Sequence, residues 1–119
     1  MARKDTVGRA GEELARAWLT RHGLEILDVN WRCPIGELDI VALDGDVLAF
    51  VEVKTRTSTA FGHPAESVTR EKLARLRKLA GAWVAAHEVH ASGMRIDVVA
   101  VLLRRGRPAL VEHLPGVES

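Results

Sequence analysis

Gly36-Glu37-Leu38-Asp39-Ile40-Val41-Ala42-Leu43-Asp44-Gly45-Asp46-Val47-Leu48-Ala49-Phe50-Val51-Glu52-Val53-Lys54 is the stretch on which the fold turns. Asp44-Gly45-Asp46 is a tight-turn signal between two apolar arms, Glu37 to Leu43 and Val47 to Lys54, so the arms form a β-hairpin. Side chains alternate with period two along a strand. Val47, Ala49, Val51 and Val53 therefore share one face, which needs a helix to cover it. Glu37 and Asp39 share a face with Val41, and Glu52 shares one with Lys54. Two registers are open. With Gly45 and Asp46 at the centre of the turn, Asp44 pairs with Val47, Asp39 lies opposite Glu52 and Glu37 opposite Lys54. A turn one position earlier sets Glu37 opposite Glu52. Either register gathers the four charged residues on one face.

Outward from the hairpin, the chain reads as alternating layers. Val7, Ala10, Leu14 and Trp18, joined by Gly11, Ala15 and Leu19, recur at helical spacing from Thr6 to about His22, and Gly23 is a C-cap. Leu24 to Arg32 is a strand with Leu27, Val29 and Trp31 alternating, ended by Pro34 and Gly36. Beyond the hairpin, Thr55 to Pro64 is polar and rich in Ser and Thr, an exposed loop of the kind that touches ligands. Ser67 or Thr69 caps a long helix ending near His87, with Leu73, Leu76, Ala80, Trp83 and Val84 as its apolar stripe. Arg95 to Leu103 and Ala109 to Leu114 are strands joined by an Arg104 to Arg107 turn around Gly106. The order αβββαββ predicts an α/β fold, a mixed β-sheet flanked by helices.

Composition bounds the class. A chain of 119 residues fits one domain, residues 1–119, and 47% hydrophobic with 28% charged residues excludes disorder and a fibrous class. No apolar run approaches the roughly 18 to 20 residues that cross a bilayer. Met1-Ala2-Arg3-Lys4-Asp5 lacks the apolar segment of a signal peptide, so a cytoplasmic location is expected. Cys33, the one cysteine, excludes an intrachain disulfide and any zinc site needing two thiolates, and reads as a buried spectator thiol. The net charge of +1 hides an uneven spread. Residues 1–52 are predominantly acidic and residues 53–81 predominantly basic. That order suits a cation site beside a polyanion-binding surface, although solvated faces cluster charge too.

Opposed side chains in a hairpin hold their Cβ atoms roughly 4.5 to 5.5 Å apart, close enough for two carboxylates to share one divalent cation. Opposed like charges destabilise a sheet unless neutralised, and Mg²⁺ or Mn²⁺ does so with hard oxygen ligands. Lys54 adds a positive charge where a phosphate would meet the metal. Charged strand ends are common in themselves, so the group carries more weight than any member. Glu12 shares its helix face with Gly8, Ala15 and Leu19, where a carboxylate is costly unless paired, metal-bound or snorkelled to the edge. Glu13 neighbours Arg9 and Arg16 and reads as a surface ion-pair partner.

An acidic residue on a first helix, an Asp on a strand and Glu-x-Lys on the next, here Glu12, Asp39 and Glu52-Val53-Lys54, resembles the PD-(D/E)xK nuclease superfamily. Leu38 stands where the motif's proline would be. More closely, the chain resembles the YraN-like family, uncharacterised protein family 0102. The matching stretches are Gly8 to Leu19, Asn30 to Val41, Phe50 to Arg56, Phe61 to Pro64, Lys72 onward and Ile96 to Val101. The resemblance implies a restriction-endonuclease-like fold similar to that of Holliday junction resolvases. It also implies catalytic roles for Glu12, Asp39, Glu52 and Lys54. Asp39 and Glu52, completed by Glu12, would ligate Mg²⁺ or Mn²⁺, and Lys54 would contact the scissile phosphate and assist the attacking water.

Arg70, Lys72, Arg75, Arg77 and Lys78 crowd the second helix, and Arg56 precedes the loop leading to it. They are candidate contacts for a nucleic-acid backbone, or else an ordinary exposed helix face. With three Trp, two Phe and no Tyr, extended base stacking is not expected. His87 and His90 are one residue short of the zincin spacing, which excludes that site. His63 reads as a surface loop histidine or a phosphate contact, Asp97 as structural, and the role of Glu37 stays open. The expected function is a metal-dependent endonuclease acting on DNA with structure rather than sequence selectivity. The expected partner is nucleic acid, DNA first, with no membrane and with a homodimer allowed. The alternative is a non-catalytic adaptor that keeps the fold and binds nucleic acid or protein.

Overall fold

The first helix, α1, runs Arg3–Arg21 and begins earlier than Thr6. The computed structural model describes residues 3–58 and 68–118, so the Phe61-Gly62-His63-Pro64 stretch and Ser67 lie outside the described residues. The buried stripe of α1 is Gly11, Ala15 and Leu19, one residue per turn, with Leu14 and Trp18 half-buried beside it. The helix stops at Gly23, φ 91°, and the Leu24 N–H closes back on the Leu19 carbonyl at 3.0 Å. That left-handed ending is cheap only without a Cβ.

Five strands and a second helix follow: β1 Glu25–Cys33, β2 Gly36–Asp44, β3 Val47–Arg56, α2 Arg70–Ala86, β4 Gly93–Arg104 and β5 Arg107–Leu114. The order is αβββαββ, and the sheet runs β1-β2-β3-β4-β5. All neighbours are antiparallel except β3 and β4, which are parallel and joined through α2. Thr55 and Arg56, expected in a loop, extend β3 instead, because β4 offers them partners in Val101 and Leu102. Thr69 is the cap of α2, its Oγ1 accepting the Lys72 N–H at 3.2 Å.

Each sheet face has its own core. On one, Ala15 and Leu19 of α1 pack on Ile40, Ala42, Ala49, Val51, Val99 and Val101, with Val53 at the rim. On the other, Leu76, Leu79, Ala80 and Trp83 of α2 pack on Leu38, Val41, Leu48, Phe50 and Ile96. Trp83, 1% exposed, gives its indole N–H to Asp28 at 2.9 Å, so its burial leaves no polar atom unsatisfied. Cys33 is half-buried at the edge of this second core rather than fully buried. Among the described residues no helix is long and apolar enough to cross a membrane.

Strict alternation fails twice, and the second failure bears on the site. The β1–β2 register shifts between Ile26 and Asp28, so Leu27 turns toward α2 while Val29 turns toward α1. Leu27 and Val29, expected on one face, are thus divided by a bulge. The second break lies where Asn30 and Asp39 would meet. Val29 pairs with Ile40 and Trp31 with Leu38, but Asn30 between them takes φ 50°. Ile40 belongs to the α1 core and Leu38 to the α2 core. The single face expected for Glu37, Asp39 and Val41 is therefore interrupted at Asp39.

Candidate functional site

The hairpin adopts the first of its two registers, from Asp44 opposite Val47 to Ile40 opposite Val51, and there the ladder ends. On β3 the next N–H directed toward β2 is that of Val53. It is taken by Asp39 Oδ2 at 2.8 Å instead of a backbone carbonyl. β2 and β3 part at this point, and a carboxylate bridges the gap. The same Asp39 carboxyl lies within hydrogen-bonding reach of Glu52, a contact that favours a proton held between the two groups. Burial pushes Asp39 up to about 8, helped by the hydrogen bond and charge of Glu52 and the charge of Glu12, against the Val53 N–H.

A cleft of about 730 Å³ opens between the first half of α1 and the end of β3, with Glu12, Asp39, Lys54 and Arg56 in its wall. Glu12 is hydrogen-bonded to the Asn30 side chain. Burial raises its pKa, as do the charges of Glu37 and Glu52, while Asn30 and Arg16 act the other way. Glu37 itself is ion-paired with Arg32 at 2.8 Å. Among the described residues no three His, Cys, Asp or Glu side chains are drawn together tightly enough to hold a metal ion. Asp39 and Glu52 form a pair, with Glu12 held to one side by Asn30.

Lys54 stands next to this pair, its amine within hydrogen-bonding reach of Lys72. Burial lowers its pKa and Lys72 lowers it further, opposed by the charges of Glu52 and Asp39. Lys72, expected on a basic surface, thus stands at the site as well, reaching Lys54 from the first turn of α2. The remaining cations of α2 share its exposed side. At about 100° per residue Arg70, Arg75, Arg77 and Lys78 fall within an arc of about 160°, opposite the buried Leu76, Leu79, Ala80 and Trp83, and Arg77 is paired with Glu118. Arg56 is half-buried, and its Nε is buried without a hydrogen-bond partner among the described residues. Glu13 is exposed.

Sequence reasoning missed three supports. Asn30 holds Glu12 from a left-handed position inside a strand, and an Asn between Val29 and Trp31 was the only signal. Gly11 lets α1 touch β3: a Cβ there would stand 1.8 Å from Thr55 Oγ1. Asp97, 0% exposed, lies in the middle of β4 and not at a strand end. It accepts from Arg95 Nε at 2.9 Å and the Gly116 N–H at 2.9 Å, with His113 Nε2 at 2.8 Å. These partners tie β4 to β5 and to the chain beyond it. His87 caps α2, its Nδ1 2.7 Å from the Trp83 carbonyl, and His90 is exposed.

The residues of this cleft fall inside a described family. The family model for the Uncharacterised protein family UPF0102 matches residues 11–101, which include Gly11, Glu12, Asp39, Glu52, Lys54 and Lys72. The chain belongs to family UPF0102. Over 117 residues it is 62% identical to a UPF0102 protein of Beutenbergia cavernae, a match covering 98% of this chain and 99% of that one. It is 56% identical to a UPF0102 protein of an Arthrobacter species, with the same coverage. A UPF0102 protein of Renibacterium salmoninarum is 49% identical over 98% of this chain and 99% of its own.

This UPF0102 site makes stability depend on pH in a stated direction. A carboxyl whose pKa rises on folding binds its proton more tightly in the folded state. The stability it contributes is complete below 3.8 and is lost as pH rises through about 8. Asp39→Asn cannot ionise but can still accept the Val53 N–H. In metal-free buffer its melting temperature should gain on the parent between pH 5 and pH 8, by about 5 °C or more. Parallel pH profiles for the two proteins would show that Asp39 ionises as an ordinary carboxyl.

Proposed function

We propose that the protein is a metal-dependent endonuclease acting on DNA phosphodiester bonds, selective for nucleic-acid structure rather than sequence. The observation that carries this reading is the Asp39–Glu52 carboxyl pair with Lys54 beside it, at the point where β2 and β3 separate. The arrangement resembles that of the PD-(D/E)xK nucleases.

The donor set fits a hard divalent cation. Two carboxyl groups that favour a proton between them are a place where Mg²⁺ or Mn²⁺ can replace that proton, with Asp39 and Glu52 as ligands and Glu12 within the same cleft. Such an ion supplies charge neutralisation at the phosphoryl oxygens and a more acidic water. The chain's own groups do the rest. Asp39, fixed by the Val53 N–H, and Glu52 orient what binds between them. Lys54, with its proton loosened by burial and by Lys72, gives up a proton more readily than an exposed lysine, which suits it to water activation. Lys72 and Arg56 supply positive charge for the phosphates on either side.

The test is cleavage of branched, flapped, single-stranded and linear DNA with Mg²⁺ or Mn²⁺. The parent should cut at least one of these, and Glu52→Gln, which keeps the hydrogen bond to Asp39 but removes a charge, should lose about 100-fold or more. A parent that cuts none of them leaves a non-catalytic adaptor as the reading.

A further inference from the structure

The β4–β5 turn, Arg104-Arg105-Gly106-Arg107, has no part in the site described above. Its place follows from the parallel pairing of β3 and β4, which brings their C-terminal ends to the same end of the sheet. Lys54 is level with Ala100 and Arg56 with Leu102, and β4 then continues past the last paired residue of β3 to Arg104. Arg104 pairs with Arg107 across the turn. From Ala100 to Arg105 the chain advances five residues, about 16 Å at strand rise.

The tip is braced and its charge is presented outward. Arg104 places Nε and a terminal nitrogen 2.9 and 2.6 Å from the Pro108 carbonyl, tying the two strands together across the turn. Arg105 and Arg107 are exposed on either side of Gly106. The fourth arginine of this strand pair, Arg95, is bound to Asp97 and Asp44 near the other end of β4, where the acidic Asp44-Gly45-Asp46 turn lies. Three of the four arginines thus gather at the sheet end that holds Lys54, where Asp39 and Glu52 also lie. Guanidinium groups on a short, braced hairpin lose little freedom on binding and match phosphate oxygens two at a time.

We propose that this hairpin tip is a second phosphate-contacting element, gripping the duplex backbone of the same nucleic acid away from the site of reaction. The proposal rests on the nuclease reading of the Asp39–Glu52 site. With a rise of about 3.4 Å per base pair, a reach of about 16 Å spans roughly five base-pair steps from the phosphate beside Lys54. Contact with the tip therefore requires duplex on that side of the site.

The experiment compares the parent with Arg105→Ala/Arg107→Ala by fluorescence anisotropy, on a 30-base-pair duplex and on a duplex of about five base pairs, over a series of KCl concentrations. Circular dichroism of both proteins checks the fold. On the long duplex the variant should bind more weakly, and its slope of log K against log salt should be shallower by about 1.8, two phosphate contacts at about 0.9 each. On the short duplex the two proteins should bind alike. Equal slopes on the long duplex, from a parent that binds and cuts DNA, overturn the hairpin proposal alone. Equal losses on both duplexes also overturn it, because the arginines would then act without reach. A parent that neither binds nor cuts any DNA overturns this proposal together with the nuclease reading beneath it.

Discussion

Lys54→Ala is expected to lower turnover on DNA by about 10²- to 10³-fold while leaving the affinity for DNA within a few-fold of the parent. The expectation comes from its neighbours. Lys54 is partly buried, faces Glu52 and Asp39, and has Lys72 close by, so burial and Lys72 loosen its proton while the carboxylates hold it. A group in such balance contributes most when the charge distribution around it changes, as it does when a phosphodiester is attacked. An exposed strand-end lysine would contribute only about 0.2 to 1 kcal/mol and leave turnover nearly unchanged. Single-turnover cleavage, with binding measured separately, separates the two cases. Lys54→Arg should not rescue, because a guanidinium holds its proton far more tightly than an amine does. Full activity in the alanine variant would remove Lys54 from the reaction.

Gly11→Ala is expected to destabilise the fold by about 3 kcal/mol, although alanine is the better helix former. A Cβ at position 11 would lie 1.8 Å from Thr55 Oγ1, 2.7 Å from its Cγ2 and 2.8 Å from its Cβ. Rotating a branched side chain cannot clear all three, so α1 or the end of β3 must move. Movement there displaces Lys54, the residue before Thr55, and activity should fall together with stability. Gly81→Ala is the matched control, since nothing lies within 4 Å of a Cβ at that position in α2. It should stabilise by about 0.5 to 1 kcal/mol. Thr55→Gly in the Gly11→Ala background should restore part of the loss. Thermal unfolding of the four proteins decides the matter, and an unchanged melting temperature for Gly11→Ala would show that the helix contact is soft.

The parts of this architecture that were legible in the sequence are those set by local chemistry. Asp44-Gly45-Asp46 specified the hairpin but left two registers open, Gly23 ended α1, and the apolar spacing of α2 identified its buried face. The gathering of Asp39, Glu52 and Lys54 was common to both registers, and the structure chose between them. What could not be read depended on long-range partners. Thr55 and Arg56 look like loop residues until β4 lies alongside them. Lys72 looks like one of five surface cations until the fold brings it beside Lys54. Asp97, a carboxylate in an apolar strand, finds its donors in Arg95, His113 and Gly116, and the last two come from beyond β4 itself. Glycine at position 11 was read as part of an apolar stripe, because close approach of a helix to a strand has no local signature.

The paired irregularity at Asn30 and Asp39 has a bearing on how relatives of this chain can vary in length. Two neighbouring strands change sides at the same rung, so they keep count together. A residue gained or lost in only one of them, between Asp28 and Val41, would turn the outer half of that strand inside out. Trp31 or Leu38 would then face the wrong layer, and Asp39 would no longer reach the Val53 N–H. Insertions and deletions within the family should therefore collect in the Pro34–Ile35 turn or beyond the strand ends. Position 30 itself should admit few residue types besides Asn, Asp and Gly, the ones that accept a left-handed backbone at low cost.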